Sequence, residues 1–190
     1  MSIVGFVIVG LLAVVVAYFI IIYNGLVAVK HSVAKAWANI DVLLKQRHDE
    51  LPKLVETCKQ YMEFEQDTLE KVMHARSRVA DARAAHDVPA LGAAEGALRV
   101  GLGNLFAVAE AYPELKTNET FQHLQTRISG LENAIADRRE FYNDSVNVNN
   151  VRIEEFPDVI VARMLTFKAY PLLEFDKAET GDVDLKKEFA

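Results

Sequence analysis

Residues 3–23 (IVGFVIVGLLAVVVAYFIIIY) constrain this chain more than any other stretch, because twenty-one consecutive positions carry no charge, no amide and no proline. At about 1.5 Å of rise per residue, a helix of that length reaches about 30 Å, the thickness of a bilayer's hydrocarbon core. A cleaved secretory signal would want a basic leader, a shorter apolar run and a small-x-small cleavage site. Here only Met1 and Ser2 precede the run, and residues 15–17 make a poor cleavage site. The expectation is an uncleaved single-pass anchor that meets the lipid bilayer through residues 3–23. Lys30, Lys35, Lys45 and Arg47 follow the span and no basic residue precedes it, so the positive-inside rule places the N-terminus outside and the C-terminal domain in the cytoplasm. Tyr18 and Tyr23 suit the membrane interface, having an apolar ring and a polar tip. Gly10, Ala13 and Ala17 place small residues near one another, a spacing that lets a second helix approach.

Beyond the anchor about 167 residues remain, enough for one compact domain with a real core. The formal charge of −6 comes with no block of Lys and Arg, which argues against nucleic acid, whose phosphates demand a clustered basic face. The single cysteine, Cys58, excludes an intramolecular disulfide and fits a reducing compartment. It falls on an apolar helical face and reads as a small buried hydrophobe.

Apolar residues recur three and four apart at Val33, Trp37, Ile40, Leu44, Leu51, Leu54, Cys58 and Tyr61, with Arg47 completing the series. That is the seam of an amphipathic helix, and it continues through Leu69, Val72 and Val79 to about residue 85. Pro52 interrupts it. Register runs through the proline without a slip, which favours one kinked helix. Length favours a break at residues 49–52, since an unbroken helix over 24–85 would be about 90 Å long and its neighbours could not cover it; the balance tips slightly to the break. His86-Asp87-Val88-Pro89 is a connector. The helix over 90–111 carries Leu91, Leu98, Leu102, Leu105 and Ala109 on one face, while Gly92, Gly96, Gly101 and Gly103 each weaken it by roughly 1 kcal/mol relative to alanine, a cost that points to close packing. Residues 112–118 stop it. A last long helix, over about 119–149, has its seam at Phe121, Leu124, Ile128, Leu131, Ile135, Arg138, Tyr142 and Val146. A short helix is expected near 158–165. The expected fold is all-α: a transmembrane helix followed by an antiparallel up-and-down bundle of three to four long helices. The expected division is an anchor at 1–23, a bundle at 24–167, and a charged, loose tail at 168–190.

These residues together resemble the LemA family of bacterial membrane-anchored proteins. The resemblance is carried by Tyr23-Asn24-x-Leu26-Val27, Ala36-Trp37, Ile40-Asp41-Val42-x-Leu44-Lys45-x-Arg47 and Leu51-Pro52-x-Leu54-Val55-Glu56. It continues through Ala111-Tyr112-Pro113-x-Leu115-Lys116-x-Asn118, Phe121-x-x-Leu124-Gln125, Glu132-Asn133-x-Ile135, Arg138-x-x-Phe141-Tyr142-Asn143 and Phe156-Pro157. It implies an N-terminal anchor in the bacterial cytoplasmic (inner) membrane and a cytoplasmic helical bundle, with no established enzyme activity. Phe64 stands where the family often has histidine, and Lys53 where it often has asparagine, which weakens a metal site near Glu65.

No catalytic constellation is legible. His31, His48, His74, His86 and His123 never form an i, i+4 pair, so no HExxH site exists. Glu70 with His74 and Glu119 with His123 sit at i, i+4, whereas di-metal carboxylate bundles use Glu-x-x-His. Gly101-x-Gly103 follows no strand and lacks a third glycine, so it is no nucleotide loop. No metal, cofactor or small-molecule substrate is expected. The informative oddity is charge in core register: Arg47, Glu65 and Arg138. An unpaired buried charge costs several kcal/mol, so a buried polar layer is expected in which Arg47 or Arg138 pairs with Glu65, with Tyr142 and Asp41 or Glu132 as further partners. Such a layer most simply fixes helix register. Trp37 is a seam residue whose ring would be buried, or else an exposed anchor for a partner.

The reading from sequence is a membrane-anchored, non-enzymatic interaction scaffold or adaptor whose partner is another membrane protein or a second copy of itself. The alternative is an enzyme accessory or small-ligand sensor with a polar pocket around Arg47, Glu65 and Arg138. The two differ in whether those side chains line an open cleft or close on one another.

Overall fold

The computed structural model describes residues 3–174, and every regular element among them is a helix. The order is α1 (Ile3–Lys59), α2 (Gln66–Ala85), α3 (Val88–Ala109), α4 (Pro113–Lys116), α5 (Glu119–Glu154) and α6 (Asp158–Met164). This is an all-α fold with a long apolar N-terminal helix leading into an antiparallel bundle. α1 contains 57 residues, about 85 Å at the usual helical rise. Its first third is the apolar run, and only 6% of the most apolar 18-residue window is covered by the rest of the chain. By length and composition it is suited to cross a membrane.

The expected break at residues 49–52 does not occur. Pro52 lies inside α1, and the turn falls later, at residues 60–65, between Lys59 and Gln66. The length argument is still satisfied, because the turn limits the helix; only its position differs. A proline at position 52 removes the N–H that would bond to the carbonyl of residue 48. That carbonyl is not abandoned: Arg76 Nε, on α2, donates to the His48 carbonyl at 2.9 Å. A side chain from the neighbouring helix supplies the donor that the proline lacks, and the seam stays in register, with Leu44, Leu51, Leu54 and Cys58 all buried on the same face.

The chain folds as two compact units, and α1 and α5 each contribute to both. Among the described residues, one unit takes residues 3–42 together with Ala136–Leu172; the other takes Leu43–Ile135 with Leu173 and Glu174. The second unit is a four-helix arrangement built from the end of α1, the hairpin of α2 and α3, and the start of α5. Its core is the expected seams: Leu44, Leu51, Leu54, Leu91, Leu98, Leu102, Leu105 and Ile128 are each no more than 1% exposed. Its turns are capped by side chains, as the connectors foretold. His86 closes α2 in the left-handed region (φ 54°), and the Asp87 carboxylate accepts from Ala90 N at 3.0 Å to open α3, with Pro89 in its first turn. Asn118 Oδ1 accepts from Phe121 N at 3.0 Å to open α5, and its amide donates to Tyr61 Oη at 3.1 Å. The glycine-rich α3 makes one backbone approach that demands glycine: a Cβ at Gly92 would overlap the carbonyl oxygen of Glu174.

In the first unit α6 docks on α1, burying Val161 and Ala162 against Ile22 and Leu26. Arg152 Nε pairs with Asp158 at 2.8 Å, and its guanidinium lies so close to Gly25 that a Cβ there would collide with it. The segment after Thr166, assigned by composition partly to a tail, is held by α5. Asn150 accepts from Tyr170 N and donates to the Tyr170 carbonyl, both at 2.9 Å. Asn149 donates to the Lys168 carbonyl at 3.2 Å, and the Tyr142 hydroxyl donates to the Pro171 carbonyl at 3.1 Å. Residues 175–190, the rest of the expected tail, lie outside the described residues.

Candidate functional site

The buried charge in the second unit centres on Arg47. Its position on α1 follows from helical spacing, three residues after Leu44 and four before Leu51, so its side chain must enter the core with theirs. Arg47 is 3% exposed and pairs through one terminal nitrogen with Glu95 of α3, which is equally buried. Its other terminal nitrogen lies 3.9 Å from Glu132 Oε1 on α5. One cation therefore joins three helices. Two atoms of the cluster, Arg47 Nε and Glu132 Oε1, are buried and make no hydrogen bond.

The residues beside Arg47 extend the layer. His48 Nε2 lies 2.6 Å from Arg76 Nη2, and burial, then the Arg76 charge, pushes the imidazole pKa down, so the neutral ring accepts from the guanidinium. Glu50 is buried and pairs with Arg127 of α5 at 3.1 Å and with Lys53 at 3.2 Å. Positions 47, 48 and 50 of α1 thus reach α3, α2 and α5 through charged or polar side chains. Such a layer penalises any slip of one helix against another, because a slip would strand a buried charge.

Glu132 is the electrostatically exposed member. Burial raises its pKa above the ordinary carboxylate range and Glu95 adds to the rise, while Arg47 and Arg99 oppose it. A carboxyl whose folded pKa is raised holds its proton more tightly in the folded state, so its contribution to stability falls as pH rises from the ordinary carboxylate pKa through the raised one. Glu132→Gln removes that ionisation. The variant is expected to gain melting temperature relative to the parent at about pH 8 and to lose that advantage at about pH 4; thermal unfolding of both chains across that range is the check.

The structure brings together only part of the polar layer read from sequence. Arg47 and Glu132 meet, but the principal partner is Glu95, not Glu65. Glu65 sits in the turn as the N-terminal flanking residue of α2, half-buried, because α1 stops at Lys59 and no longer carries the seam to it. Arg138 is exposed. Between Ile135 and Tyr142 the partly buried positions are Ala136 and Arg139, so the helical stripe passes beside 138. Tyr142 is buried, as expected, yet it serves the strap after α6 and not a charge. Burial and then Tyr170 push its hydroxyl pKa up. Trp37 is half-buried, its ring 5.6 Å from that of Tyr142 at 60°. Cys58 is fully buried, and burial pushes its thiol to about 12, which leaves it without thiolate character at neutral pH. Glu95 was missed although its signal is in the sequence: the α3 seam steps seven residues from Leu91 to Leu98, and Glu95 fills that step at four plus three.

What the cluster can do chemically is limited by its closure. The Arg47–Glu95 pair is sealed from solvent. A groove of about 980 Å³ between α2 and α3 is lined by other side chains, among them Asp67, Lys71, His74, Arg78, Arg99 and Asn104. No group of three or more His, Cys, Asp or Glu side chains able to hold a metal occurs among the described residues.

Comparison with known proteins agrees with this architecture. The chain is similar to magnetosome protein MamQ 2 of Paramagnetospirillum magneticum, with 33% identity over 96 residues that make up 50% of this chain and 35% of that protein. A second similarity is to magnetosome protein MamQ of Magnetospirillum gryphiswaldense, with 32% identity over the same shares. The chain thus spans about a third of the length of the magnetosome relatives it matches. Protein LemA of Metamycoplasma hominis is 26% identical over 182 residues, which cover 94% of this chain and 82% of that protein. The model of the LemA family matches residues 36–186, from the seam before Trp37 to the end of the bundle and beyond, and the chain belongs to the LemA family.

Proposed function

We propose that this LemA-family protein is a non-enzymatic interaction scaffold, held by residues 3–23 at the bacterial cytoplasmic membrane with its bundle on the cytoplasmic side. The observation that carries the reading is the continuity of α1: the apolar span and the first bundle helix belong to one uninterrupted helix, with no loop between them. Confinement of this kind raises the effective concentration of the bundle near other membrane proteins, which then need only modest intrinsic affinity. The cytoplasmic orientation rests on Lys30, Lys35 and Lys45 just after the span. Relatives named for the magnetosome, and not for a reaction, support a role in organising other components. The closure of Arg47 on Glu95, both buried, supports the scaffold over the ligand-sensor alternative, which needs that side chain to line a cleft.

The test is cross-linking in cells, purification of the full chain in mild detergent, and mass spectrometry of what accompanies it. A reproducible, near-stoichiometric second membrane protein is the expected result. Recovery of the chain as a lone monomer would overturn the scaffold reading.

A further inference from the structure

α6 is short, and it leaves apolar side chains outside. Val161 and Ala162 face α1 at Ile22 and Leu26, whereas Ile160, Met164 and Leu165 are 52%, 67% and 43% exposed. Ile160 and Met164 stand at i, i+4 and so share one face, and Leu165 continues it into the turn. A folded protein in water has little reason to gather three large apolar side chains on the outside of a single short helix.

The depth of this face relative to the span is set by its contacts. Phe167, which follows the turn, packs on the cluster of Ile22, Leu26, Val161 and Ala162 together with Phe19. Its ring meets that of Tyr23 edge-on at 6.4 Å. Phe19 lies four residues inside the expected span and Tyr23 at its end. The C-terminal end of α6 is therefore level with the last turn of the anchor, where a bilayer changes from acyl chains to headgroups.

We propose that α6 and its following turn, through Ile160, Met164 and Leu165, lie in the interfacial layer of the bilayer that the N-terminal helix crosses, as a second lipid contact beside the anchor. The occupant of this face is lipid because α6 packs on Ile22 and Leu26 at the end of the apolar run, where Ile20 and Ile21 are themselves exposed large apolar side chains. An amphipathic element in that position rests about 5 to 10 Å into the headgroup and acyl boundary. Paired with α1 through Ile22 and Leu26, it fixes the depth and tilt at which the chain leaves the membrane, which one helix alone leaves free. The inference rests on the anchor reading, and its test separates the two.

The full chain is reconstituted in vesicles of phosphatidylethanolamine and phosphatidylglycerol with an environment-sensitive fluorophore at one introduced cysteine. The variants are Val15→Cys in mid-span, Met164→Cys on α6 and Ala38→Cys, an exposed position on α1 about 22 Å beyond Tyr23. Native Cys58 is buried and does not compete for the label. Lipids carrying a nitroxide near the headgroup should quench the Met164 label about twofold and shift its emission to the blue, as expected of a side chain at the interface. Mid-bilayer nitroxides should quench Val15, and neither should reach Ala38. Quenching at Val15 with Met164 behaving like Ala38 would overturn the interfacial helix and leave the anchor standing. Absence of quenching at Val15 would overturn the anchor reading and this inference with it. Leu165→Cys carries the same expectation should the Met164 variant lose its helical circular dichroism.

Discussion

Arg47→Leu is expected to destabilise the domain by about 3 to 5 kcal/mol, because it leaves the buried Glu95 carboxylate without its cation. Transfer of a methylene-rich side chain into the core does not offset that, since the cost lies on the partner and not on the residue replaced. The companion variant decides the mechanism. Arg47→Leu combined with Glu95→Leu removes both charges and should recover most of the loss, since replacing a buried pair by apolar groups of similar volume is often neutral or better. Arg138→Leu, at an exposed position, should change stability by less than about 0.5 kcal/mol. Chemical unfolding of the full chain in detergent, followed by far-ultraviolet circular dichroism, measures all three. If the double variant is no more stable than Arg47→Leu, the pair is not the source of the loss.

Arg76→Ala is expected to cost about 1 kcal/mol, the loss of a hydrogen bond to a part-buried acceptor, and to do so through Pro52. Arg76 Nε donates to the very carbonyl, that of His48, which a residue-52 N–H would satisfy in an uninterrupted helix. The Pro52→Ala chain restores that N–H. In its background Arg76→Ala should cost markedly less, leaving only the contact of the guanidinium with the His48 ring. A double-mutant cycle reads the coupling directly. Additive effects would mean that Arg76 does not stand in for the missing N–H, and that the helix tolerates the proline for another reason.

The parts of the fold that were legible in advance are those that depend on spacing along one helix. The apolar run at residues 3–23, the seam of leucines through α1 and α3, the connector at His86 to Pro89 and the stop at Tyr112-Pro113 were all readable, because side-chain direction follows from backbone period and caps act within a few residues. The same rule placed Arg47 in the core. The Pro52 question was not settled by spacing, since the answer lay in a donor twenty-four positions away on another helix. Glu65 and Arg138 were assigned to the core by extending a seam past the end of α1 in one case, and past a drifting stripe in the other. Cumulative drift of a 3.6-residue period makes such extensions unsafe over several turns.

By itself, then, the amino-acid sequence determined that the chain begins with a helix suited to a bilayer, continues as amphipathic helices and carries a cation where an apolar side chain belongs. Only the tertiary structure decided that Arg47 closes on Glu95 and Glu132, that Arg76 completes the backbone at Pro52, and that α6 seats on the end of the N-terminal apolar run with an apolar face outward. The physical reason is common to all three. Period and propensity are properties of neighbouring residues, whereas the partner of a buried charge or an orphaned carbonyl is chosen by which distant atoms the packed helices bring within hydrogen-bonding reach.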